Sequence, residues 1–225
     1  MIIYGRNPVQ EALAAKRRPV RRIWAIHPED WPKAEHADAS QIASRCGSND
    51  HQGVCAEVGR YPYVDARLLF EPADALVVAL DQVQDPRNLG AVARVAECVG
   101  ASGIVIPERR SAEVTPAACK TAAGAVEHLR IAQVRNLADF LDDAKTAGAW
   151  TYGADAGAPT GYDEPDYNGR VVLVLGSEGT GLRPRVADHC DQLISLPILG
   201  RVASLNVSTA AAALLYGILQ SRRRA

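Results

Sequence analysis

The second part of the chain carries short runs of Val, Ile, Leu and Ala separated by glycine-containing turns. Residues 76–80, 103–106 and 171–175 are unbroken apolar runs, typical of strands buried on both faces of a parallel sheet. Their alternation with helical segments predicts an α/β domain with a parallel sheet covered on both sides. The predicted helices are the alanine-rich, partly amphipathic stretches 88–99, 116–125 and 136–147.

Residues 205–220 predict a last helix with one apolar face, because apolar residues recur there at the helical period. Arginines at 222–224 follow it and are typical of a solvated helix end. The residues that share the apolar face are Val207, Ala211, Leu214 and Ile218.

The N-terminal part predicts a smaller α/β module. Residues 8–15 predict a helix begun by Asn7, with Pro8 at its first position. A mixed stretch flanked by prolines follows the module, so we predict a first domain over 1–64, a linker over 65–75 and a second domain over 76–225. The strand-like stretches of the first domain are 2–5, 23–26 and 53–58.

Composition narrows the class of protein. The 225 residues include 25 Lys and Arg against 26 Asp and Glu, a net charge of -1, so any basic surface for nucleic acid must be local. Residues 16–22 form the one dense basic cluster before the C-terminal end, and we interpret it either as a solvated loop or as a contact to RNA phosphates.

Five cysteines without a CxxC pair disfavour a disulfide framework and a zinc site. The chain also lacks a signal-peptide pattern and an 18-residue apolar run, so we expect a cytoplasmic protein without a membrane span or a metal. The motifs GxGxxG, GxxxxGK[ST] and GxSxG are absent, which disfavours NAD enzymes, P-loop ATPases and ordinary serine hydrolases.

Asn88, Gly90 and Arg94 form the first of three segments that could carry chemistry. Asn88 can cap a helix, Gly90 leaves room for a close neighbour, and Arg94 projects from the same helix one turn later. The alternative interpretation is structural, with Asn88 acting only as a cap and Arg94 pairing with Glu97 at i+3.

The second segment follows the strand at 171–175 and contains Gly176, Glu178 and two more glycines. Glycines let a backbone approach a ligand or simply make a tight turn, and open α/β sheets bind ligands at the carboxyl ends of their strands. Glu178 is therefore either a site residue or a solvated residue of a plain turn.

The third segment contains Leu196 and then Ser204, Leu205, Asn206 and Ser208 at the start of the last helix. Three hydroxyl and amide side chains would crowd this helix N-terminus, where capping alone would use one. An anion or ligand site is the functional interpretation.

Together these segments resemble the SpoU (TrmH-like) family of RNA ribose 2′-O-methyltransferases, in the SPOUT superfamily. The matching motifs are N-x-G-x-x-x-R at 88–94, G-x-E-G-x-G-L at 176–182, and I-S-L-P with S-L-N-V-S at 194–197 and 204–208. The opening Y-G-R-N-P-V and the later H-Q-G-V are similar to the N-terminal L30/L7Ae-like substrate-binding domain of members that modify rRNA. The most similar subgroup methylates a guanosine ribose in 23S large-subunit rRNA.

The resemblance implies S-adenosylmethionine as methyl donor, an α/β-knot catalytic domain with a deep trefoil knot, and a homodimer with sites at the subunit interface. By motif position it implies two groups of residues. The catalytic and ribose-binding group is Asn88, Arg94, Glu178, Ser204 and Asn206. The cofactor contacts, largely through backbone atoms, are Gly176, Leu196 and Leu205.

The resemblance also implies that the arginine, here Arg94, acts as proton acceptor or activator and reaches across the dimer interface. A guanidinium is effectively always protonated, so we favour electrostatic activation over a base. Three other functions remain open: a tRNA ribose methyltransferase of the same fold, a non-enzymatic RNA-binding or ribosome-assembly protein, and a generic nucleotide-binding enzyme that uses the glycine turn.

Overall fold

The computed structural model describes residues 1–177, 179–202 and 204–224. The N-terminal elements are β1 (Ile2–Tyr4), α1 (Arg6–Ala15), β2 (Val20–Ala25), β3 (Glu35–His36), α2 (Ala39–Cys46) and β4 (Val54–Val58). The four strands form one sheet in the order β1-β4-β2-β3. In this sheet β4 runs antiparallel to β1 and β2, whereas β3 pairs parallel with β2. The predicted small α/β module is confirmed.

The predicted start of α1 at Asn7 is wrong. The helix begins at Arg6 after Gly5, whose φ of 97° lies in the region that favours glycine. The amide of Arg6 donates to Gln52 Oε1 at 3.1 Å. A Cβ on Gly5 would meet only the mobile ends of Lys120 and Gln52, so this turn favours glycine through its backbone angle.

The pattern of apolar residues did not reveal α2. Its N-terminus is a capping box, in which Asp38 accepts from the Gln41 amide at 2.9 Å and Gln41 accepts from the Asp38 amide at 3.0 Å. Ile42 is the helix's one buried residue, so no apolar stripe marks the helix in the sequence.

The second sheet has seven strands in the order β7-β6-β5-β10-β8-β11-β9, all parallel. The strands are β5 (Leu76–Leu80), β6 (Gly103–Pro107), β7 (Ile131–Val134), β8 (Ala149–Ala154), β9 (Thr160–Gly161), β10 (Arg170–Leu175) and β11 (Gln192–Ser195). The helices are α3 (Pro86–Cys98), α4 (Pro116–Thr121), α5 (Leu137–Thr146), α6 (Pro184–Asp188) and α7 (Val207–Arg224). The predicted α/β class is confirmed.

Helix α4 is shorter than the predicted 116–125. It ends at Thr121, because Ala123 and Gly124 have φ values of 51° and 91° and turn the chain out of the helix. Strand β10 lies between β5 and β8, so the chain leaves the centre of the sheet and later returns to it. This order departs from a simple doubly wound sheet; the trefoil knot that the resemblance implies stays a prediction.

The core of this domain has two layers of apolar side chains, one on each face of the sheet. Strand β5 alternates between them: Val78 and Leu80 face α3 and α7, whereas Val77 and Ala79 face α5. Full burial of such a side chain stabilises a fold by about 1.5–3 kcal/mol. The predicted apolar face of α7 is buried as expected.

The predicted linker packs against the second sheet. Residues Ala66–Phe70 form a 3₁₀ helix in which Leu69 is fully buried, and Phe70 stacks on Phe140 with ring centroids 5.9 Å apart. Val64 forms a parallel bridge to Ala132 on β7. The connection between the two sheets is therefore a packed segment of the fold.

The sequence predicted that the C-terminal arginines at 222–224 form a solvated helix end. The structure shows that one of them, Arg222, is bound to the rest of the fold. Arg222 donates to the carbonyls of Tyr167, Asp74 and Gly169 at 2.9, 2.6 and 2.7 Å. It therefore attaches the end of α7 to the segments that precede β5 and β10. Among the described helices none is long and apolar enough to cross a bilayer.

Candidate active site

A cavity of about 380 Å³ opens at the carboxyl ends of β10, β8 and β11. Four of the predicted site residues line it: Gly176, Leu196, Ser204 and Leu205. Apolar side chains of β11 and α7, including Ile194 and Leu214, form part of its wall. Its volume and mixed lining are those of a small-molecule site.

The glycine turn after β10 forms one wall of the cavity. Ser177 and Gly181 exchange backbone hydrogen bonds of 3.1 and 3.0 Å, which closes the turn. Any side chain on Gly176 would collide with the backbone of Gly181, so the turn requires glycine there. The predicted Glu178 lies outside the described residues.

Asp81 supports this turn and was missed by the sequence analysis. It follows β5, is fully buried, and accepts from the Arg183 backbone amide at 2.8 Å and from Arg183 Nε at 2.7 Å. A buried carboxylate needs such partners because its desolvation is costly. The signal in the sequence was an acidic residue directly after a fully apolar strand.

Asn88 does not cap α3, contrary to prediction. Asp85 is the cap and accepts from the Arg87 amide at 2.8 Å, with Pro86 at the first helical position, an arrangement that a helix start favours. Asn88 lies in the first turn, and its Oδ1 accepts from Asn206 Nδ2 at 3.2 Å. Two residues far apart in sequence thus meet beside the cavity.

Asn206 is the residue that caps α7. Its Oδ1 accepts from the Ser208 amide at 2.9 Å and from the Ser208 hydroxyl at 2.6 Å. The cluster predicted at this helix start therefore divides: Asn206 and Ser208 form the cap, while Ser204 lines the cavity. Asn206 joins the cap to Asn88, and its neighbours Leu205 and Val207 line the cavity.

Arg94 lies six residues after Asn88 on α3, about 9 Å along the helix axis. Its side chain is exposed, and within the described chain it forms no ion pair with Glu97. Gly90, one turn earlier, packs closely as predicted: a Cβ there would lie 2.5 Å from the Ala118 carbonyl oxygen. Arg94 is not among the residues that line the cavity.

Asp155 is a second acidic residue that the sequence analysis missed. It follows β8, lines the cavity and is partly exposed, and its Oδ1 accepts from the Gly157 amide at 2.7 Å. The strand before it was not predicted because Thr151 and Gly153 interrupt its apolar pattern. From the residues that the structure describes, the cavity thus offers backbone groups, hydroxyl groups, apolar walls and the carboxylate of Asp155.

Two family matches divide the chain. Residues 2–64 match the RNA 2′-O ribose methyltransferase substrate binding family, and residues 75–216 match the SpoU rRNA Methylase family. A Bacillus subtilis protein named as a TrmH family tRNA/rRNA methyltransferase is 36% identical over 240 residues, which cover 98% of this chain and 95% of that protein.

Solved structures agree with these matches. The AdoMet-bound rRNA methyltransferase from Sinorhizobium meliloti is 25% identical with a TM-score of 0.84, over 99% of this chain and 87% of its own. The TrmH/SpoU tRNA modifying enzyme from A. aeolicus is 27% identical with a TM-score of 0.61, over 70% of this chain and 79% of its own. On the family match, which covers most of the chain, this protein belongs to the SpoU rRNA Methylase family.

Proposed function

We propose that this protein transfers a methyl group from S-adenosylmethionine to a ribose 2′-hydroxyl of RNA, with a guanosine of 23S large-subunit rRNA as the target. The observation that carries the proposal is the convergence of three distant segments on one site. The Asn88–Asn206 hydrogen bond of 3.2 Å lies beside a cavity lined by Gly176, Leu196 and Leu205.

The cavity has the chemistry that S-adenosylmethionine requires. Apolar walls at Ile194, Leu196 and Leu214 suit a flat adenine ring, and the glycine turn and Asp155 offer polar groups to the rest of the molecule. Gly176, Leu196 and Leu205 would hold it, largely through backbone atoms. When bound, this cofactor supplies an activated methyl group on a sulfonium.

The remaining residues act on the RNA. A ribose hydroxyl is a weak nucleophile at neutral pH, so the site must hold it in line and stabilise the negative charge that develops on its oxygen. In the homodimer proposed below, Arg94, which is exposed on α3, reaches across the subunit interface, binds the target phosphate and supplies this stabilisation as a permanent cation. Asn88 and Asn206 orient the ribose, and Ser204 and Glu178 complete the positioning group.

The substrate-binding match favours rRNA over tRNA. The tRNA modifying enzyme from A. aeolicus covers 70% of this chain, whereas the rRNA methyltransferase from S. meliloti covers 99%. In the proposed division, residues 1–64 select the RNA, residues 65–75 connect, and residues 76–225 carry the transfer. Separate methylation of rRNA and tRNA pools, followed by mapping of the product, distinguishes the two substrates.

We further propose that the active form is a cytoplasmic homodimer with a knotted catalytic domain. The loop between β11 and α7 supports this, because Leu199 and Val202 are 98% and 73% exposed directly beside the cavity. Exposed apolar groups at a site are typical of a surface that another protein covers. Sedimentation at micromolar concentration should give a dimer; a monomer that still methylates RNA would contradict this.

Substitution of Arg94 tests the reaction. Arg94→Ala should abolish methyl transfer and leave S-adenosylmethionine binding nearly intact, whereas the control Arg135→Ala, at another exposed arginine, should retain activity. Mass-spectrometric mapping of rRNA ribose methylation with and without the protein measures the outcome. Transfer by Arg94→Ala at more than roughly a tenth of the parent rate would remove Arg94 from a central role, since loss of one electrostatic group at a transition state costs about 10²–10³-fold.

Calorimetry separates the remaining functions. A non-enzymatic RNA-binding protein would bind RNA and not S-adenosylmethionine. A generic nucleotide-binding enzyme would bind ATP at the glycine turn, although the turn lacks the lysine that phosphate sites of this kind use.

A further inference from the structure

The contact between the N-terminal part and the catalytic part of the chain contains an ion pair that is buried away from water. Arg18 follows α1, and Glu127 follows α4; the side chains of both are 1% exposed. Arg18 Nε donates to Glu127 Oε2 at 3.0 Å, and Arg18 Nη2 donates to Glu127 Oε1. Removal of both charges from water is costly. The pair is favourable only because the guanidinium donates two hydrogen bonds to the carboxylate in a bidentate arrangement.

Other polar groups surround the pair. The Tyr61 hydroxyl lies 2.8 Å from the Leu129 carbonyl oxygen and 3.0 Å from that of Val126. The neighbouring Cys119 Sγ is 3.6 Å from Arg18 Nη2, and burial raises the pKa of this thiol to about 11. The thiol is therefore neutral at physiological pH, and Glu127 supplies the negative charge that balances Arg18.

At the edge of the contact, further polar interactions connect the two parts of the chain. His128 Nε2 lies 2.8 Å from Glu11 Oε2, and the Val114 amide donates to the Tyr63 hydroxyl at 2.9 Å. A Cβ on Gly124 would come within 2.6 Å of Glu11 Cβ, so the two parts approach as closely as a glycine allows. The N-terminal part is thus fitted to the catalytic part of its own chain.

This contact also changes the interpretation of the basic cluster at 16–22. Arg17 donates to the Leu129 carbonyl and its guanidinium lies 5.3 Å from the Tyr61 ring centroid, so it belongs to the contact together with Arg18. Arg21 and Arg22 pair with Glu57 and Glu35 at 3.5 and 2.8 Å. Two of the five cations are therefore part of the internal contact, whereas the pairs of Arg21 and Arg22 lie at the surface.

We propose that the buried pair Arg18–Glu127, supported by Tyr61, locks the RNA-binding part of the chain onto the catalytic part and thereby fixes which nucleotide reaches the site. The proposal rests on the proposed function. Arg18 and Glu127 are positioning residues, since they touch neither the cavity nor its lining turns. When the distance between an RNA-binding part and a reactive site is fixed, only a nucleotide at that distance from the bound RNA segment reaches the site. Linked binding sites depend on their spacing in the same way.

Three variants test the lock. Arg18→Met leaves Glu127 buried without its partner, whereas the double variant Arg18→Met/Glu127→Leu removes both charges and keeps the contact apolar. Arg185→Met is the control, because it breaks the exposed pair Arg185–Asp139 of 3.0 Å within the catalytic part. Small-angle scattering and tryptic cleavage after the exposed Arg60, directly before Tyr61 of the contact, report docking, and product mapping on rRNA reports the target.

We expect Arg18→Met to expand the protein, to speed tryptic cleavage after Arg60, and to raise KM for rRNA by roughly tenfold or to scatter methylation over neighbouring nucleotides. Affinity for S-adenosylmethionine should stay within about twofold, because the cavity is remote from the contact. The double variant should restore docking and target choice. The control should behave as the parent in every assay.

Two results would overturn the proposal. One is an Arg18→Met protein that stays compact; the other is a variant that separates its two parts yet still methylates the parent nucleotide at the parent KM. If Arg18→Met does not fold, Tyr61→Phe, which removes one hydroxyl from the same contact, replaces it with the same expected direction. If the parent binds S-adenosylmethionine but methylates no RNA, the proposed function fails, while the docking measurements still decide whether the lock exists.

Discussion

Two regions of the molecule differ in the kind of residue that forms them. One is the contact between the two parts of the chain, and the other is the candidate active site. The contact uses buried, charged side chains, with Arg18 and Glu127 both removed from solvent. The site uses a glycine turn, backbone groups and exposed residues such as Ser204 and Asn206. Substitutions at the contact should therefore reduce stability first, whereas substitutions at the site should reduce activity first.

Glu127→Ala should have the largest effect on stability. It leaves the Arg18 guanidinium buried without its anion, and removal of one partner from a buried pair costs about 3–5 kcal/mol. The midpoint of urea unfolding should fall accordingly. A loss below about 1 kcal/mol would mean that water reaches Arg18, and the difference between the two regions would disappear.

Asp81→Ala should have the next largest effect on stability. Asp81 shares a feature with each of the two regions. Its carboxylate is buried like that of Glu127, yet it supports the turn that forms the cavity. Loss of two charge-assisted bonds should cost about 3 kcal/mol of unfolding free energy. Because Arg183 is freed, S-adenosylmethionine binding should weaken as well; calorimetry with Asp143→Ala, at an exposed acidic residue of α5 away from the cavity, provides the control.

Arg222→Ala should cost less, about 1.5 to 2 kcal/mol. The substitution removes three hydrogen bonds to main-chain carbonyls, but these groups lie near the surface and water can replace the arginine. Arg223→Ala at the next position is the matched control and should leave the unfolding midpoint unchanged. Equal effects of the two substitutions would restore the interpretation of a solvated helix end.

The sequence predicted those parts of the fold in which local pattern and burial agree. Strand β5 is found at Leu76–Leu80 as predicted, because all five of its residues are buried and apolar. Strand β8 was missed since Thr151 and Gly153 break the pattern, and Thr151 is satisfied by Asp191, whose carboxylate accepts from its hydroxyl at 2.8 Å. Partners forty positions apart leave no local signal.

The sequence predicted the residues of the turns that line the site, but it did not predict the ion pairs that hold those turns and the two parts of the chain in place. The motifs placed Gly176, Leu196 and Leu205 among the cofactor contacts and Ser204 in the catalytic group, and these four residues line one cavity. The pairs Asp81–Arg183 and Arg18–Glu127 join residues 102 and 109 positions apart, so no spacing rule could connect them. Arg18, Asp81 and Glu127 each resemble an ordinary surface charge until the fold removes them from water.

Asn206→Ala should have the smallest effect on stability and one of the largest on activity. Loss of the α7 cap costs about 1 kcal/mol, because Asn206 accepts from the Ser208 amide at an exposed helix start. The same substitution removes the hydrogen bond to Asn88 and with it the proposed ribose-binding group. Asn206→Asp separates the two roles: an aspartate can still cap the helix, but it cannot donate to Asn88. If Asn206→Asp keeps both stability and methyl transfer, the Asn88–Asn206 contact is structural; if it keeps stability and loses transfer, the amide belongs to the site.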